Sequence, residues 1–328
     1  MSAADKPILV FQSDFTYAEG AVSSMYGVVK SVDRELEIFD GTHYIPKFDT
    51  WSASYRLYQS LPFWPEGTIY VSVVDPGVGT SRRACVARTA SGHLVVTPDN
   101  GTLTHLARYV GIDEVREIDE RANRLRSTLG TSVFAGRDVF GYTAARLASG
   151  AISWDEVGPS YPVSEVVVHD FAEPTLRDGA AAGIVEIVDP NFGNAWTNVP
   201  VALLARLGIE YGDAIHVEVS RREARRETCG GEVRREARRD ESGGEPRRDE
   251  SGGEPRREVS RGEVHDRCGL VFSADVPFER SFGMVDVGEA VVYTNEVMNV
   301  AFALNQGSFI ERTGVGFGPD WTVTLSKA

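Results

Sequence analysis

Short apolar runs and amphipathic stretches alternate along the first half of this chain. PILVFQ from Pro7 leads into residues 20–32, which have helical spacing, and LEIFD leads into a second helical stretch at 50–61. GTIYVSVVD, HLVVTPD and a helix over 103–110 continue the alternation, and residues 138–149, with Phe140, Ala144, Ala145 and Leu147 apolar, predict one more helix. Strands interleaved with helices predict an α/β N-terminal domain with a largely parallel sheet, over residues 1–172.

Beyond about Ala172 the pattern changes. AAGIVEIVD, DAIHVEV, LVFSADVPFERSF and EAVVYTNE are short, β-rich and separated by turns, with helical periodicity only over 201–207. They predict a smaller antiparallel β-barrel-like C-terminal domain over 173–328, with the boundary near 171–178. Residues 221–267 interrupt it with RREARR and the nine-residue repeats ESGGEPRRD and ESGGEPRRE. With almost no apolar side chains, this insert cannot offset its ordering entropy and is expected to be disordered.

Charge changes the picture in one respect. The chain carries a formal charge of −14, but the insert holds fourteen arginines against thirteen acids, so almost all of the excess belongs to the folded body. An acidic body argues against a general nucleic-acid binder and for a small-molecule ligand. The insert could serve as an Arg-rich tether or as a neutral loop within a hairpin, and its near-perfect charge balance favours the loop. No apolar run reaches the length of a membrane span and the N-terminus lacks signal-peptide features, so a cytoplasmic protein is expected. Cys85, Cys229 and Cys268 form no zinc spacing and no disulfide framework; neither a metal nor a cofactor is expected.

Three apolar strands run into turns rich in Asp, Asn, Gly and Pro: VVDPGVGTSRR at 73–83, TPDNGTL at 97–103 and IVDPNFGNAWTN at 187–198. Strand ends of this kind are where α/β proteins place ligand-binding groups. In the first turn Asp75 and Arg82 stand seven apart across a glycine-rich bend. The carboxylate could take a proton from water and the guanidinium could hold the incipient hydroxide. From the spacing alone, an aspartate capping a turn and an arginine on the surface is the favoured reading. Asp99 and Asn100 read as a tight turn with Gly101.

Together with QSDF at 12–15, THYIP at 42–46 and FAGRD at 134–138, these segments resemble the S-adenosylmethionine (SAM) hydroxide adenosyltransferase family, the hydrolytic relatives of the fluorinases. The resemblance runs in order from about Ile8 to Gln306, broken by the insert. It implies cleavage of SAM by water at the ribose 5′-carbon, a homotrimer, and sites shared between the α/β domain of one subunit and the β-domain of its neighbour. It implies that Asp75 and Arg82 are catalytic and that Asp14 accepts the ribose hydroxyls. Phe48 would face the ribose and the sulfonium. Asp189 would hold the methionine ammonium, Asn194 and Asn305 would meet the adenine edge, and Phe192 and Trp196 would wall its pocket.

The chain departs from the family at several positions. The family histidine of a TFHGRD-like segment is replaced by Ala135, and an imidazole of that kind contributes about 10² to 10⁴ in rate. Either Asp75 and Arg82 suffice or another group reaches that position; none of the six histidines is assigned to the task. At the methionine carboxylate, Asn295 and Glu296 stand where the family has Asn-Ser, so Glu296 must turn away or take the ammonium instead. Val78 and Gly136 lack the hydroxyls with which fluorinases hold halide, which argues for hydrolysis. Two rival readings are a non-catalytic SAM or adenosine binder with a dismantled site, and a scaffold built around the Arg/Glu repeat.

Overall fold

The computed structural model describes residues 6–222 and 269–328. The predicted disordered insert therefore lies outside the described residues except for Arg221 and Arg222, as do Cys229 and Cys268.

The N-terminal sheet contains β1 (Leu9–Ser13), β2 (Ile38–Thr42), β3 (Ile69–Val73), β4 (Ala84–Thr89), β5 (Leu94–Pro98), β6 (Ile112–Glu117) and β7 (Ser160–Tyr161). Their order is β2-β1-β3-β5-β4-β6-β7. The first four strands in that order run parallel and the remaining three pairings are antiparallel, so the sheet is mixed. Helices α1 (Ala21–Val32), α2 (Thr50–Ser60), α3 (Thr104–Tyr109), α4 (Glu120–Asn123) and α5 (Tyr142–Ser149) accompany it.

β1 shows why its sequence is an unbroken apolar run. Leu9 and Phe11 point to the face covered by Met25 and Val29 of α1 and Ala144 of α5. Val10 points to the other face, against Leu57 of α2 and Leu106 of α3. A strand covered on both sides cannot alternate apolar with polar. The helix predicted over 138–149 begins instead as a π-helical turn at Gly136–Gly141 and becomes α-helical only at α5.

The C-terminal sheet comprises β8 (Thr175–Arg177), β9 (Ala180–Val188), β10 (Ala195–Pro200), β11 (Ala214–Arg221), β12 (Leu270–Pro277), β13 (Ala290–Thr294), β14 (Asn299–Leu304) and β15 (Trp321–Lys327). The order is β12-β11-β15-β9-β10-β14-β13, with β8 on β9, and every pairing is antiparallel. A bridge between Phe278 and Val292, with Glu279 N donating to Val292 O at 2.9 Å, brings the two ends of the order together and nearly closes a barrel. Val217, Val219, Phe302 and Leu325 fill its interior. Helices α6 (Val201–Arg206) and α7 (Phe309–Thr313) complete the domain, α7 being absent from the sequence-based expectation. β11 and β12 flank the insert as an antiparallel pair, with Arg221 N donating to Gly269 O at 2.7 Å.

The two sheets meet where α2 and α3 pack on β9. Trp51 donates its indole N–H to Glu186 O at 2.6 Å, and Arg56 donates to Val188 O at 2.9 Å. Between them lies a buried polar cluster. Tyr109 donates to Glu186 Oε1 at 2.7 Å, and His105 Nε2 lies 3.6 Å from the same oxygen, the His105 and Glu186 side chains having no exposed surface. At that distance an ion pair is conceivable, but desolvation outweighs it. Burial pushes the Glu186 carboxyl up to about 7 and holds the His105 imidazole down to about 3, so both are neutral in mildly acidic solution.

The Glu186 carboxyl ordinarily ionises near 4.5. Because the fold raises that value, its protonated form favours the native state below about pH 4.5, and stability declines as pH rises towards about 7, above which the deficit is constant. The full deficit is on the order of 3 kcal/mol. Glu186→Gln is expected to remove this contribution, so that its urea-unfolding stability relative to wild type improves from pH 5 to about pH 7 and levels off by pH 8. Parallel stability curves for the two proteins across that range would refute the assignment.

Candidate active site

The carboxyl ends of β2, β1 and β3 lie side by side, and the loops that leave them build a cavity of about 410 Å³. The register pairs Ser13 at the end of β1 with Val73 at the end of β3, so Asp14 and Asp75 emerge from neighbouring strands. Both line the cavity, as do Phe48 from the loop after β2 and Ala135 and Gly136 from the start of the π turn. Gln12 of the QSDF segment is structural: its amide donates to Ala53 O and Ser72 Oγ, both at 2.8 Å, tying β1 to α2 and β3.

Asp75 and Arg82 face one another. Arg82 Nε lies 3.0 and 3.1 Å from the two carboxylate oxygens, and a terminal guanidinium nitrogen donates to Oδ2 at 2.6 Å. Their side chains are 6% and 12% exposed. The intervening loop is a run of tight turns, with Val78 N on Asp75 O and Thr80 N on Gly77 O. Gly79 sits at φ +78°, a conformation that favours glycine. At Gly77 a Cβ would lie 3.1 Å from Arg82 Cγ, so the missing side chain lets the arginine stem fold back over the bend. Phe140 lies beneath the guanidinium at 5.3 Å. This doubly hydrogen-bonded pairing spends the guanidinium on Asp75, so Arg82 orients the carboxylate.

Asp14 is nearly buried and accepts the Phe48 amide at 2.9 Å. That bond holds Phe48 at φ +66°, a strained position for an aromatic residue, and leaves its ring 68% exposed at the cavity mouth. Beneath this pair lies the fully buried His43. Phe15 N donates to Ser13 Oγ, which leaves the Ser13 hydroxyl proton for His43 Nδ1 at 2.7 Å. The imidazole proton then belongs on Nε2, which donates to Asp40 Oδ1 at 3.1 Å, with the Tyr26 hydroxyl oxygen 3.0 Å from the same nitrogen. Burial lowers the His43 pKa, with Asp40 opposing. This network clamps the loops after β1 and β2, which carry Asp14 and Phe48, to each other.

The residues expected from the second half of the chain are not in this cavity. Asp189 accepts Asn191 N at 2.9 Å and Phe192 N at 3.3 Å, closing a turn that leaves the Phe192 ring 68% exposed. Asn194 is buried at the end of the same turn, its carbonyl accepting Asp189 N at 2.8 Å. Trp196 is largely buried and donates to the Tyr293 hydroxyl at 2.8 Å. Asn305 donates to Val285 O at 2.8 Å. Glu296 is exposed and accepts from Gln59 of α2 at 2.8 Å. Within one chain the expected residues thus fall into two groups.

Asp99 and Asn100 are braces: Asp99 accepts from Tyr161 and Val167 N, and Asn100 donates to Val74 O, steadying the strand end before Asp75. Sequence reasoning passed over Glu19 and Lys47, which also line the cavity. Their signal was available, since each is a charged residue in a loop that carries a motif position. Among the described residues no group of three or more His, Cys, Asp or Glu side chains is arranged to hold a metal ion, and no helix is long and apolar enough to cross a membrane.

Comparison with known proteins places the chain among relatives. Residues 9–158 match the SAM hydroxide adenosyltransferase N-terminal domain, and residues 257–322 match the C-terminal domain of the same family. An (R)-S-adenosyl-L-methionine hydrolase from Salinispora tropica is 36% identical over 210 residues, covering 62% of this chain and 76% of that protein. One from Thermus thermophilus is 32% identical, covering 66% and 92%. A fluorinase from an Actinoplanes species is 26% identical, covering 64% and 78%. The crystal structure of a conserved protein from Thermotoga maritima superposes with a TM-score of 0.76 at 27% identity, covering 98% of this chain and all of that one.

Removing the node beneath the cavity tests whether it shapes the site. His43→Ala strips partners from the buried Ser13 hydroxyl and from Tyr26, and is expected to cost about 2 to 3 kcal/mol in denaturant unfolding. A loss below about 0.5 kcal/mol, within the range of ordinary surface substitutions, would show that the loops hold themselves.

Proposed function

Because this chain belongs to the SAM hydroxide adenosyltransferase family, we propose that it hydrolyses SAM to adenosine and L-methionine by in-line attack of water at the ribose 5′-carbon. The observation that carries this reading is the Asp75–Arg82 pair opening onto the same cavity as Asp14 and Phe48.

The reaction asks little covalent chemistry of the protein. The sulfonium is already a good leaving group: as the water oxygen bonds to the 5′-carbon, the carbon–sulfur bond breaks and its electron pair stays on sulfur as the neutral thioether of methionine. The water proton passes to Asp75 and then to solvent. What the site must supply is one oriented water and exclusion of the rest. Asp75, fixed by Arg82, accepts the proton and aims the lone pair. Asp14 receives the ribose diol, since a carboxylate offers two acceptors, and the Phe48 ring faces the sulfonium cation. Ala135 presents only a methyl group, so the proton has no imidazole to go to and Asp75 carries that task alone. Val78 and Gly136 offer no hydroxyl to a halide, and the Asp75 carboxylate would repel one, which favours water over halide as nucleophile. No observation favours the reading as a non-catalytic binder.

A single chain leaves this cavity open, with Phe48 and Val133 exposed at its rim while Phe192 and Met284 are exposed on the C-terminal domain. We read these as two halves of one site, closed when the turn at Asp189–Trp196 of a neighbouring copy covers the cavity of the first. A homotrimer closes such a head-to-tail contact. Asp189, Asn194, Trp196, Glu296 and Asn305 would then act on the ligand held by the partner.

Two experiments test this reading. Purified protein incubated with SAM in ¹⁸O-labelled water should release adenosine labelled at the 5′-oxygen, and Asp75→Asn should lower kcat by about 10² to 10⁴; absence of adenosine release would sink the hydrolase assignment, and an unchanged rate in the variant would overturn the role of Asp75. For the shared site, Asp75→Asn and Asn194→Ala proteins, each impaired alone, should regain activity when their subunits are exchanged, because mixed oligomers pair an intact cavity with an intact turn. No recovery despite demonstrated exchange would place each site within one chain.

A further inference from the structure

The charges around the cavity do not balance. Among the described residues, three carboxylates, Asp14, Glu19 and Asp75, and a single cation, Lys47, line it. Asp75 is committed to Arg82, and Asp14 to the Phe48 amide. Lys47 is committed to nothing: among the described residues no carboxylate lies within 4.0 Å of its ammonium, and it makes no hydrogen bond. The chain has only four lysines, and the other three are engaged. Lys6 binds Asp33 and Glu35, Lys30 binds the Arg34 and Leu36 carbonyls, and Lys327 reaches Gly208 O.

Although Lys47 is exposed, its root is fixed. Asp49 N donates to Pro46 O across it, the next residue is held by Asp14, and Asp49 caps α2 through Ser52 N. A compact ammonium on a flexible stem therefore stands on the wall of the cavity, beside the proposed ribose and sulfonium contacts.

This inference rests on the proposed reading of SAM as substrate. SAM carries two cations, the sulfonium and the α-ammonium, and one anion, the α-carboxylate. In a cavity dominated by carboxylates that anion needs a counter-charge. Arg82 is spent on Asp75, and the Asn295–Glu296 segment adds an acid rather than a base. We propose that Lys47 is a specificity-determining residue that binds the α-carboxylate of the substrate, and so selects sulfonium substrates that bear an intact amino-acid end.

The test compares SAM with its decarboxylated form, which keeps the sulfonium, the nucleoside and the amine but lacks the anion. With wild-type protein, KM for the decarboxylated compound should exceed that for SAM by about 10- to 100-fold, the range of a charge-assisted hydrogen bond. Lys47→Met should raise KM for SAM by a similar factor, change kcat by less than about threefold, and leave KM for the decarboxylated compound where it was. Lys47→Arg should restore much of the preference. Equal rises in KM for both compounds, or no change for SAM, would overturn the proposal. Should wild-type protein bind SAM without releasing adenosine, the hydrolase reading falls, but the same comparison by calorimetric titration still decides the role of Lys47. Loss of preference in Lys47→Met supports it, and unchanged relative affinities refute it.

Discussion

The seating of α2 on β9 is the contact on which both halves of the molecule depend. One short helix begins two residues after Phe48, at the cavity, and grips with Trp51 and Arg56 the strand that ends one residue before Asp189. A shift of α2 along β9 would therefore move the cavity loop and the Asp189 turn relative to one another. The contact is buried and aromatic, with Trp51, Tyr55, Trp196 and Tyr293 in one cluster. Its polar members are held neutral by burial, so geometry is kept by packing and a few backbone-directed hydrogen bonds.

The cavity itself is built on the opposite logic. Parallel strands converge their carboxyl ends, and the loops beyond them are strained rather than relaxed. Phe48 sits in the left-handed region because a carboxylate holds its amide, and the Gly77 bend is folded tightly enough to bring Asp75 and Arg82 together from seven residues apart. Orientation is established before any ligand arrives, which is what a reaction limited by positioning a weak nucleophile requires. Electrostatics divide the same way: charges that must orient are paired within the chain, and the one cation on the cavity wall is left for the ligand.

Much of the architecture was legible in the apolar pattern, because a strand buried on both faces must be continuously apolar and a helix on a sheet must repeat every three to four residues. β1, β3 and β5, α1, α2 and α3 all follow from that pattern. β4 and β6 were not singled out. β6 is half exposed and mixes Asp, Glu and Arg with its apolar positions, so its strand character comes from pairing with β4 and not from its own pattern. The π turn at Gly136–Gly141 was likewise hidden inside a helical periodicity.

For the site, the glycine bend between a carboxylate and a guanidinium marked Asp75 and Arg82 as local features, whereas Asp14 and Phe48 were marked only by the resemblance of their segments to the family. Their convergence is not local. It required the register that sets Ser13 beside Val73, a property of two strands separated by sixty residues. The division of the marked residues into a cavity group and a second group around Asp189, and the lack of a partner for Lys47 among the described residues, belong to the tertiary structure alone. Chemistry travels with the residue, but distance, burial and the absence of a partner are relations between segments, and only the fold brings those segments within reach of one another.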